Sequence, residues 1–437
     1  MIDVVRRLFV FLLAPLALFA CGPRDAEESP EPAPAAPAEE AAEPRALDAA
    51  ALAELDATLE RLAAERARAG YAAVIALDGE IVHVSEAGYA DIAAGRPMTA
   101  DTPVRIASMT KPVTAVAVMM LVEDGALSLD DPVADYIPAF ADARVATSFM
   151  RNEAMEIPTE PLERAITIRD LITHTSGVGY IFDYDTNLGA LYIGHDIYQG
   201  DAPMAARMET LAGLPLYFQP GEAWRYSYAN DVLGHVVEIV SGETLDAFMD
   251  ARIFTPLGMD DTTFFPGESL RARMAALYTH DDDGALVRVP AADDGVLNAA
   301  DEAGGAGLVS TAHDYMRFAL MLAGGGELDG TRLLSAETVD RMTELHVGPE
   351  RTPDSMDAAD TGYGLGVGVA YDGDDETIER PGDFGWGGYF DTDFFVSPST
   401  GLAGVIMAQE EPGPTTPPEA AARAVFKPLA YGALPGE

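Results

Sequence analysis

The chain has 437 residues, and its 48% hydrophobic content is sufficient for one large folded domain or for two smaller ones that share a core. Its 72 acidic residues outnumber its 27 basic ones, so the formal net charge is −45. A field of that sign repels nucleic acid and anionic lipid surfaces and argues against both as binding partners. Acidity spread over a whole chain is more typical of a strongly hydrating, saline environment than of one cationic partner.

Residues 1–21 have the layout of an export signal. Two arginines precede the apolar run 8–20, which is too short to span a bilayer as a permanent helix. Cys21 follows a small residue, as in bacterial lipoprotein signals, so we expect cleavage before Cys21 and lipidation of the new N-terminus. Because Gly22 rather than an aspartate comes next, we expect an exported lipoprotein of the cell envelope, at the outer membrane and facing the periplasm. Phe19 is bulky for this motif, which leaves a plain signal peptide or an uncleaved anchor as alternatives.

The segment that follows separates this signal from the folded region. Residues 22–46 are mostly Pro, Ala and Glu with almost no large apolar side chain, which predicts a disordered linker. The folded domain is therefore predicted over 47–437. Apolar residues at helical spacing predict its first helix over 47–70.

A hairpin and a buried helix come next in the chain. Two β-rich runs, 72–77 and 80–85, flank Asp78-Gly79, a dipeptide favoured in two-residue hairpin turns. The segment 113–122 is apolar on nearly every side, which predicts a helix buried on all faces. The stretch 130–211 mixes turns with short helical patterns and is predicted to be a mostly helical insert.

Two capping boxes and a second β-rich region complete the pattern. Thr167 with Asp170, and Thr311 with Asp314, have the spacing of boxes that begin helices. The remaining patterns predict a helix at 315–322, a hairpin formed by 389–396 and 402–409, and a final helix at 418–429. This order of elements predicts an α+β domain, an antiparallel sheet flanked by helices, with the chain ends packed on the sheet.

Ser108 and Lys111 are three residues apart at the start of the buried helix, so their side chains share one helical face. A serine hydroxyl is a weak nucleophile unless a neighbouring base takes its proton. Lysine can act as that base, whereas arginine stays protonated, and only two of the 27 basic residues are lysines, Lys111 and Lys427. The helix N-terminus also offers N–H groups to an oxyanion. The spacing therefore predicts an acyl-accepting Ser108 activated by Lys111, and the chain has no Gly-x-Ser-x-Gly elbow.

Five stretches occur in one order along the chain: Arg-Ile-Ala-Ser-Met-Thr-Lys-Pro at 105–112, Leu-Ile-Thr-His-Thr-Ser-Gly at 171–177, Pro-Gly-Glu-Ala-Trp-Arg-Tyr-Ser at 220–227, Gly-Ala-Gly-Leu-Val-Ser-Thr at 305–311 and Trp-Gly-Gly at 386–388. With these stretches, the chain from about 101 to 408 resembles the class C β-lactamase-like serine hydrolases, most closely the family VIII carboxylesterases and related acyltransferases. The resemblance implies a β-lactamase/transpeptidase-like fold and an acyl-serine intermediate.

The resemblance also implies a catalytic tyrosine, for which two candidates exist. Tyr228 forms a Tyr-x-Asn motif with Asn230. In the family, however, the catalytic tyrosine lies five residues after the glycine of a Pro-Gly turn and eight residues before a glycine of the next helix. Counting forward from Gly221 and back from Gly234 leads to Tyr226 in both cases. We expect Tyr226 to exchange a proton with Lys111, since a nearby ammonium favours a phenolate. Tyr228 then takes the place of the amide that β-lactamases carry, as a substrate-binding residue, which counts against lactam hydrolysis. The alternatives are Tyr228 as the catalytic tyrosine and a packing role for both.

Trp386, Gly387 and Gly388 replace the Lys-Thr-Gly of β-lactamases, whose cation attracts a substrate carboxylate. An uncharged aromatic suits a neutral, partly apolar acyl or alcohol group, and glycines permit close approach to a ligand, so we expect all three to bind substrate. The resemblance implies an oxyanion hole formed by the backbone N–H groups of Ser108 and Tyr389. A bulged edge strand without function is the alternative for this motif.

The other candidate residues support no cofactor and no metal. His174 ends a helical pattern and is predicted to be structural. The remaining histidines lack paired ligand spacing, and Cys21 is the single cysteine, which excludes internal disulfides and cysteine-ligated zinc. The acidic clusters 281–284 and 372–375 are interpreted as solvated turns.

The predicted function is that of a serine carboxylesterase that hydrolyses or transfers the acyl group of a small-molecule ester, or amide, through acyl-Ser108. The predicted partners include no nucleic acid, and a membrane only through the lipidated N-terminus. A β-lactamase or D-amino-acid peptidase on the same fold is the first alternative. A non-catalytic binding protein of the envelope is the second.

Overall fold

The computed structural model describes residues 45–195, 197–198, 202–290, 302–348, 350, 361–371 and 380–435. The predicted signal with Cys21, almost all of the predicted linker and the acidic cluster 372–375 lie outside the described residues. Within these ranges, no helix combines the length and the apolar content that crossing a membrane requires.

In the described part of the chain, the helices are α1 (Ala49–Ala64), α2 (Thr110–Glu123), α3 (Ile168–Ile172), α4 (Asn187–Gly194), α5 (Met204–Ala212), α6 (Ala229–Ser241), α7 (Leu245–Met249), α8 (Thr255–Leu257), α9 (Glu268–Arg273), α10 (Ala312–Ala323), α11 (Ala336–Thr343) and α12 (Ala422–Gly432). The strands are β1 (Gly70–Leu77), β2 (Glu80–Asp91), β3 (Arg96–Pro97), β4 (Val104–Arg105), β5 (Arg144–Ala146), β6 (Thr159–Pro161), β7 (Tyr278–His280), β8 (Leu286–Arg288), β9 (Val309–Ser310), β10 (Glu327–Leu328), β11 (Thr331–Arg332), β12 (Thr361–Tyr363), β13 (Gly368–Ala370), β14 (Phe384–Gly388), β15 (Thr392–Ser397) and β16 (Leu402–Met407).

The main sheet is antiparallel and has the strand order β12-β13-β14-β15-β16-β1-β2-β3. Its N-terminal and C-terminal strands meet where β1 pairs with β16. The β1–β2 turn has positive φ at both Asp78 (52°) and Gly79 (86°), the backbone that an Asp-Gly turn provides. The predicted α+β class and antiparallel sheet are confirmed.

The sheet is covered on both faces, which explains why β1 is buried along its whole length. Because side chains alternate across a strand, Tyr71 and Ile75 join the core under α1 and α12, while Val74 joins the core shared with α2, α6 and α10. Helix α2, which follows Ser108 in the chain, lies in this second core.

Several predicted bounds differ from those observed. The first helix ends at Ala64 because Arg66 has φ 62°, and Gly70 begins β1 instead. Strand β15 begins at Thr392 and not at 389, because Asp391 turns the chain with φ 63°. The insert contains α3, α4 and α5, but it also contains the β5–β6 pair, which the pattern did not predict.

The two capping boxes have different outcomes. At α3 the box is complete: Thr167 accepts from the Asp170 N–H, and the Asp170 carboxylate accepts from the Thr167 N–H. At α10 only half of it forms, since Thr311 accepts from the Asp314 N–H. The Asp314 carboxylate instead accepts from the Asp261 N–H and the Thr262 hydroxyl, both at 2.9 Å.

Candidate active site

Ser108 lies in a 3-10 turn, Ala107–Met109, that leads directly into α2. Ala107 has φ 43°, an unusual backbone for a residue with a side chain and one that is found at functional turns. The turn is held from behind, because the Tyr315 hydroxyl on α10 donates to the Met109 carbonyl at 2.7 Å. Ser108 is partly exposed at this bend.

Lys111 is one turn further along α2 and is completely buried. Its Nζ lies 3.3 Å from Ser108 Oγ and donates to the Gly305 carbonyl at 2.6 Å. As a neutral amine, Lys111 can keep the bond to Gly305 and still offer a lone pair to the serine proton. The structure therefore brings together the two residues that the spacing singled out.

The segment around Gly305 is fixed to the two central helices. Thr114 on α2 donates to the Gly304 carbonyl at 2.7 Å. On α6, Asp231 Oδ1 accepts from the Gly305 N–H at 3.0 Å, and Asn230 Nδ2 donates to the Lys111 carbonyl at 3.1 Å. Burial raises the pKa of Asp231 to about 6, although the charge of Lys111 and the hydrogen bonds from Gly305 and Tyr198 act in the opposite direction.

Tyr226 and Tyr228 are placed very differently. The ring centroid of Tyr226 lies 4.6 Å from Lys111 Nζ, and its side chain is partly exposed. Tyr228 is completely buried just before α6, where its ring packs on Tyr180 and Tyr198 with centroid distances of 4.6 and 5.2 Å. This arrangement supports Tyr226 as the partner of Lys111 and gives Tyr228 a packing environment rather than a substrate-facing one.

His174 is buried behind Tyr226 and has φ 55°. Its Nδ1 lies 2.9 Å from Ser227 Oγ, and its ring packs on Tyr226 with a centroid distance of 5.1 Å. Burial and the nearby charge of Lys111 hold the pKa of His174 well below its usual range. A lowered pKa favours the neutral imidazole, and the ring is packed among its neighbours.

Strand β14 runs alongside the turn that carries Ser108 and ends at Gly388. A Cβ on Gly388 would overlap the Ile106 carbonyl and the Thr392 hydroxyl, so only glycine allows this approach. The indole of Trp386 lies beside Tyr226, with a centroid distance of 5.8 Å. Gly387 is tight as well, with an added Cβ 3.1 Å from Asp393 Oδ1. The strand therefore ends close to the turn that carries Ser108, and Tyr389, the expected second oxyanion donor, follows it directly in the chain.

Exposed aromatic rings lie next to the site. Tyr389 is 42% exposed and stacks on Phe182, which is 48% exposed, with a centroid distance of 6.4 Å. Phe182 in turn packs edge-on against Tyr180, whose ring centroid is 5.4 Å from Lys111 Nζ. Aromatic rings therefore extend from the buried lysine to the surface.

Asp231, Gly305 and Tyr180 were not predicted as site residues. Gly305 lies in one of the five stretches that carry the resemblance. Its contact with Lys111 is made by a backbone carbonyl, which every residue type has, so residue type could not predict it. Asp231 gave no signal either, because helical spacing places it with His235 and Glu238 on the polar side of α6.

No group of three or more potential metal-ligating side chains occurs among the described residues. In the described acidic cluster, Asp281 Oδ1 accepts from the N–H groups of Asp283 and Ala285, which closes a turn between β7 and β8.

The antiparallel sheet, the buried α2 helix and the serine–lysine pair together have the arrangement of the β-lactamase-like class of proteins. The chain belongs to the Beta-lactamase family, whose model matches residues 55–427. Esterase EstB from Burkholderia gladioli is 36% identical over 388 residues, which cover 83% of this chain and 91% of that protein.

Two further matches are also described as an esterase or a hydrolase. Lovastatin esterase from Penicillium rubens is 33% identical over 354 residues, covering 76% of this chain and 86% of that protein. The structure of EstCE1, described as a hydrolase with promiscuous acyltransferase activity, superposes with a TM-score of 0.73 at 25% identity and covers 88% of this chain and 99% of that one. The predicted family and fold are confirmed, and these homologues support acyl-ester hydrolysis or transfer.

Proposed function

We propose that the protein is a serine carboxylesterase that hydrolyses carboxylic esters, or transfers their acyl group, through acyl-Ser108. The observation that carries the proposal is the position of Lys111 Nζ, 3.3 Å from Ser108 Oγ and 4.6 Å from the ring centroid of Tyr226. In this proposal Ser108 is the nucleophile, Lys111 is its base, and Tyr226 is a second proton-transfer group. The names of the relatives add support for an ester as the substrate.

Acylation begins when Ser108 Oγ attacks the ester carbonyl carbon and its proton passes to the Lys111–Tyr226 pair. The carbonyl oxygen becomes an oxyanion and accepts from the backbone N–H groups of Ser108 and Tyr389. Collapse of the tetrahedral intermediate breaks the ester C–O bond, and the leaving alkoxide takes the proton from the same pair. Water, or a second alcohol, then attacks the acyl-serine by the same steps in reverse.

The residues beside the nucleophile favour an uncharged acyl or alcohol group. Trp386 occupies the position of the lysine with which β-lactamases attract a carboxylate, and its indole packs on Tyr226 and Tyr363. The rings of Phe182 and Tyr389 continue this surface to the outside. Rings of this kind bind apolar groups by area and shape rather than by charge.

A substrate panel tests the proposal. Wild-type protein is assayed with p-nitrophenyl esters of increasing acyl length, nitrocefin and a D-Ala-D-Ala peptide. We expect turnover of the esters to exceed that of the other two by orders of magnitude, and Ser108→Ala to abolish it. Faster turnover of nitrocefin, or full ester activity in Ser108→Ala, would contradict the proposal.

We also propose lipidation at Cys21, which the sequence pattern supports. Metabolic labelling with an alkyne fatty acid should mark the wild-type chain but not Cys21→Ala. Equal labelling of both chains would exclude that site.

A further inference from the structure

Asp231 is a completely buried carboxylate whose two oxygens are both engaged. Oδ1 accepts from the Gly305 N–H at 3.0 Å, and Oδ2 accepts from the Tyr198 hydroxyl at 3.0 Å. A buried carboxylate is costly to desolvate and is retained where its charge has a use.

Gly305 connects this carboxylate to the base. Its N–H donates to Asp231, and its carbonyl accepts from Lys111 Nζ at 2.6 Å, so one residue contacts both groups. A Cβ on Gly305 would overlap Asp231 Oδ2, which shows how closely the carboxylate lies against the backbone. A single residue therefore links Asp231 to Lys111.

Among the described residues packed against Asp231, the titratable groups that face it are Lys111 on α2 and Tyr198 of the insert. The segment 303–308 contributes no charged side chain, and His174 beside Lys111 is neutral. Charged side chains on α6 and its other neighbouring helices have partners elsewhere: His235 with Glu238, Asp170 with Arg164, Arg207 with the carbonyls of Ile197 and Ala202, and Asp246 with the Phe264 N–H.

We propose that Asp231 is a positioning residue for Lys111, which it holds toward Ser108 through Gly305 and whose positive charge it balances during acylation. This role rests on the proposed function. When Lys111 accepts the Ser108 proton, a buried ammonium forms, and a fixed carboxylate nearby stabilises it, as the aspartate of a catalytic triad stabilises its imidazolium.

The role predicts a dependence of the rate on pH. Burial raises the pKa of Asp231 to about 6, and only the ionised form can balance the lysine. The rate of acylation should therefore fall as the pH is lowered through about 6. Loss of the Tyr198 hydroxyl, which stabilises the carboxylate, should move this decline to higher pH.

The test measures full-length protein from pH 4.5 to 9 in two ways: kcat and KM for p-nitrophenyl butyrate, and the rate at which a fluorophosphonate probe labels Ser108. Asp231→Asn keeps the shape but removes the charge. We expect its plateau kcat to fall about 10- to 100-fold, with KM changed by less than about 3-fold and no decline near pH 6.

Asp314→Asn is the matched control. Asp314 is half-buried at the start of a helix, and desolvation also raises its pKa to about 6, but its carboxylate contacts Asp261 and Thr262. It should keep wild-type kcat within about 3-fold and retain the decline. Tyr198→Phe should show the decline at higher pH, and it tests the proposal even where Asp231→Asn fails to fold.

Wild-type kcat and an unchanged pH profile in Asp231→Asn, or an unmoved decline in Tyr198→Phe, would overturn the inference while leaving the proposed function intact. A wild-type protein that neither turns over esters nor labels at Ser108 would instead overturn the proposed function, and the inference with it.

Discussion

The two faces of the main sheet are packed by different chemistry. Under α1 and α12 the core is apolar, built from residues such as Leu59, Ile75 and Phe426. On the other face, around α2 and α6, the buried set includes Lys111 and Asp231. Apolar burial stabilises a fold without leaving hydrogen-bonding groups unsatisfied, whereas each buried polar group costs free energy unless it finds a hydrogen-bond partner. The first face therefore supports the fold, and the second gives up some stability for a reactive site.

The largest expected effect tests which face carries the chemistry. Ser108→Ala removes the proposed nucleophile, so we expect the esterase rate to fall by at least about 10⁴-fold. The free energy of unfolding should change by less than about 1 kcal/mol, because Ser108 is partly exposed. Rates and urea unfolding curves measure both quantities.

Ser85→Ala is the control for this prediction. Ser85 lies on β2 in a cluster with His83 and Asp56, beside the helix α1. Its loss should leave the rate within about 3-fold of wild type. An inactive Ser85→Ala together with an active Ser108→Ala would assign the chemistry to the opposite face.

Tyr226 and Tyr228 lie on the same side of the sheet as Lys111, but we expect their substitution to have different effects. Tyr226→Phe removes a proton-transfer group, and we expect kcat to fall about 10²- to 10⁴-fold. Tyr228→Phe changes a buried packing residue, so we expect a loss of about 1 kcal/mol in stability and a kcat within about 5-fold of wild type. The reverse ranking in steady-state assays would identify Tyr228 as the catalytic tyrosine.

Two buried phenylalanines compare the faces directly. Phe426→Ala, on α12, should lower the free energy of unfolding by about 3–5 kcal/mol and leave kcat per folded molecule unchanged. Phe394→Ala should cost a similar amount and also lower kcat, because Phe394 packs on Tyr315, which holds the nucleophile turn. Denaturant unfolding with active-site titration separates the two effects, and equal kcat losses would remove the distinction between the faces.

The smallest effect concerns the pH dependence of stability. Burial raises the pKa of Asp314 to about 6, above its value in the unfolded chain, so the native state binds the proton more tightly. The stabilisation from this group is complete below about pH 4 and is lost as the pH rises through about 6. Relative to wild type, Asp314→Asn should therefore gain about 2–3 kcal/mol in stability between pH 4 and 7. A difference that stays constant over this range would mean that Asp314 does not titrate there.

Local patterns were sufficient for much of the fold. The Asp-Gly hairpin, the buried α2 helix and the α3 capping box depend on residues close together in the chain, so spacing and residue type predict them directly. The β5–β6 pair was missed because its strands are only three residues long and lack a clear alternation. At α10, tertiary contacts with Asp261 and Thr262 drew the Asp314 carboxylate away from the capping box.

The sequence by itself determined that Ser108 and Lys111 share a helical face, because three residues along a helix are a fixed separation. It could not show what holds Lys111 in place. That partner, Gly305, is 194 residues away in the chain, and Asp231 reaches it from a third segment. The choice between Tyr226 and Tyr228 also depends on which ring the fold turns toward Lys111. Contacts between distant segments follow from how helices and strands pack, and only the tertiary structure decides them.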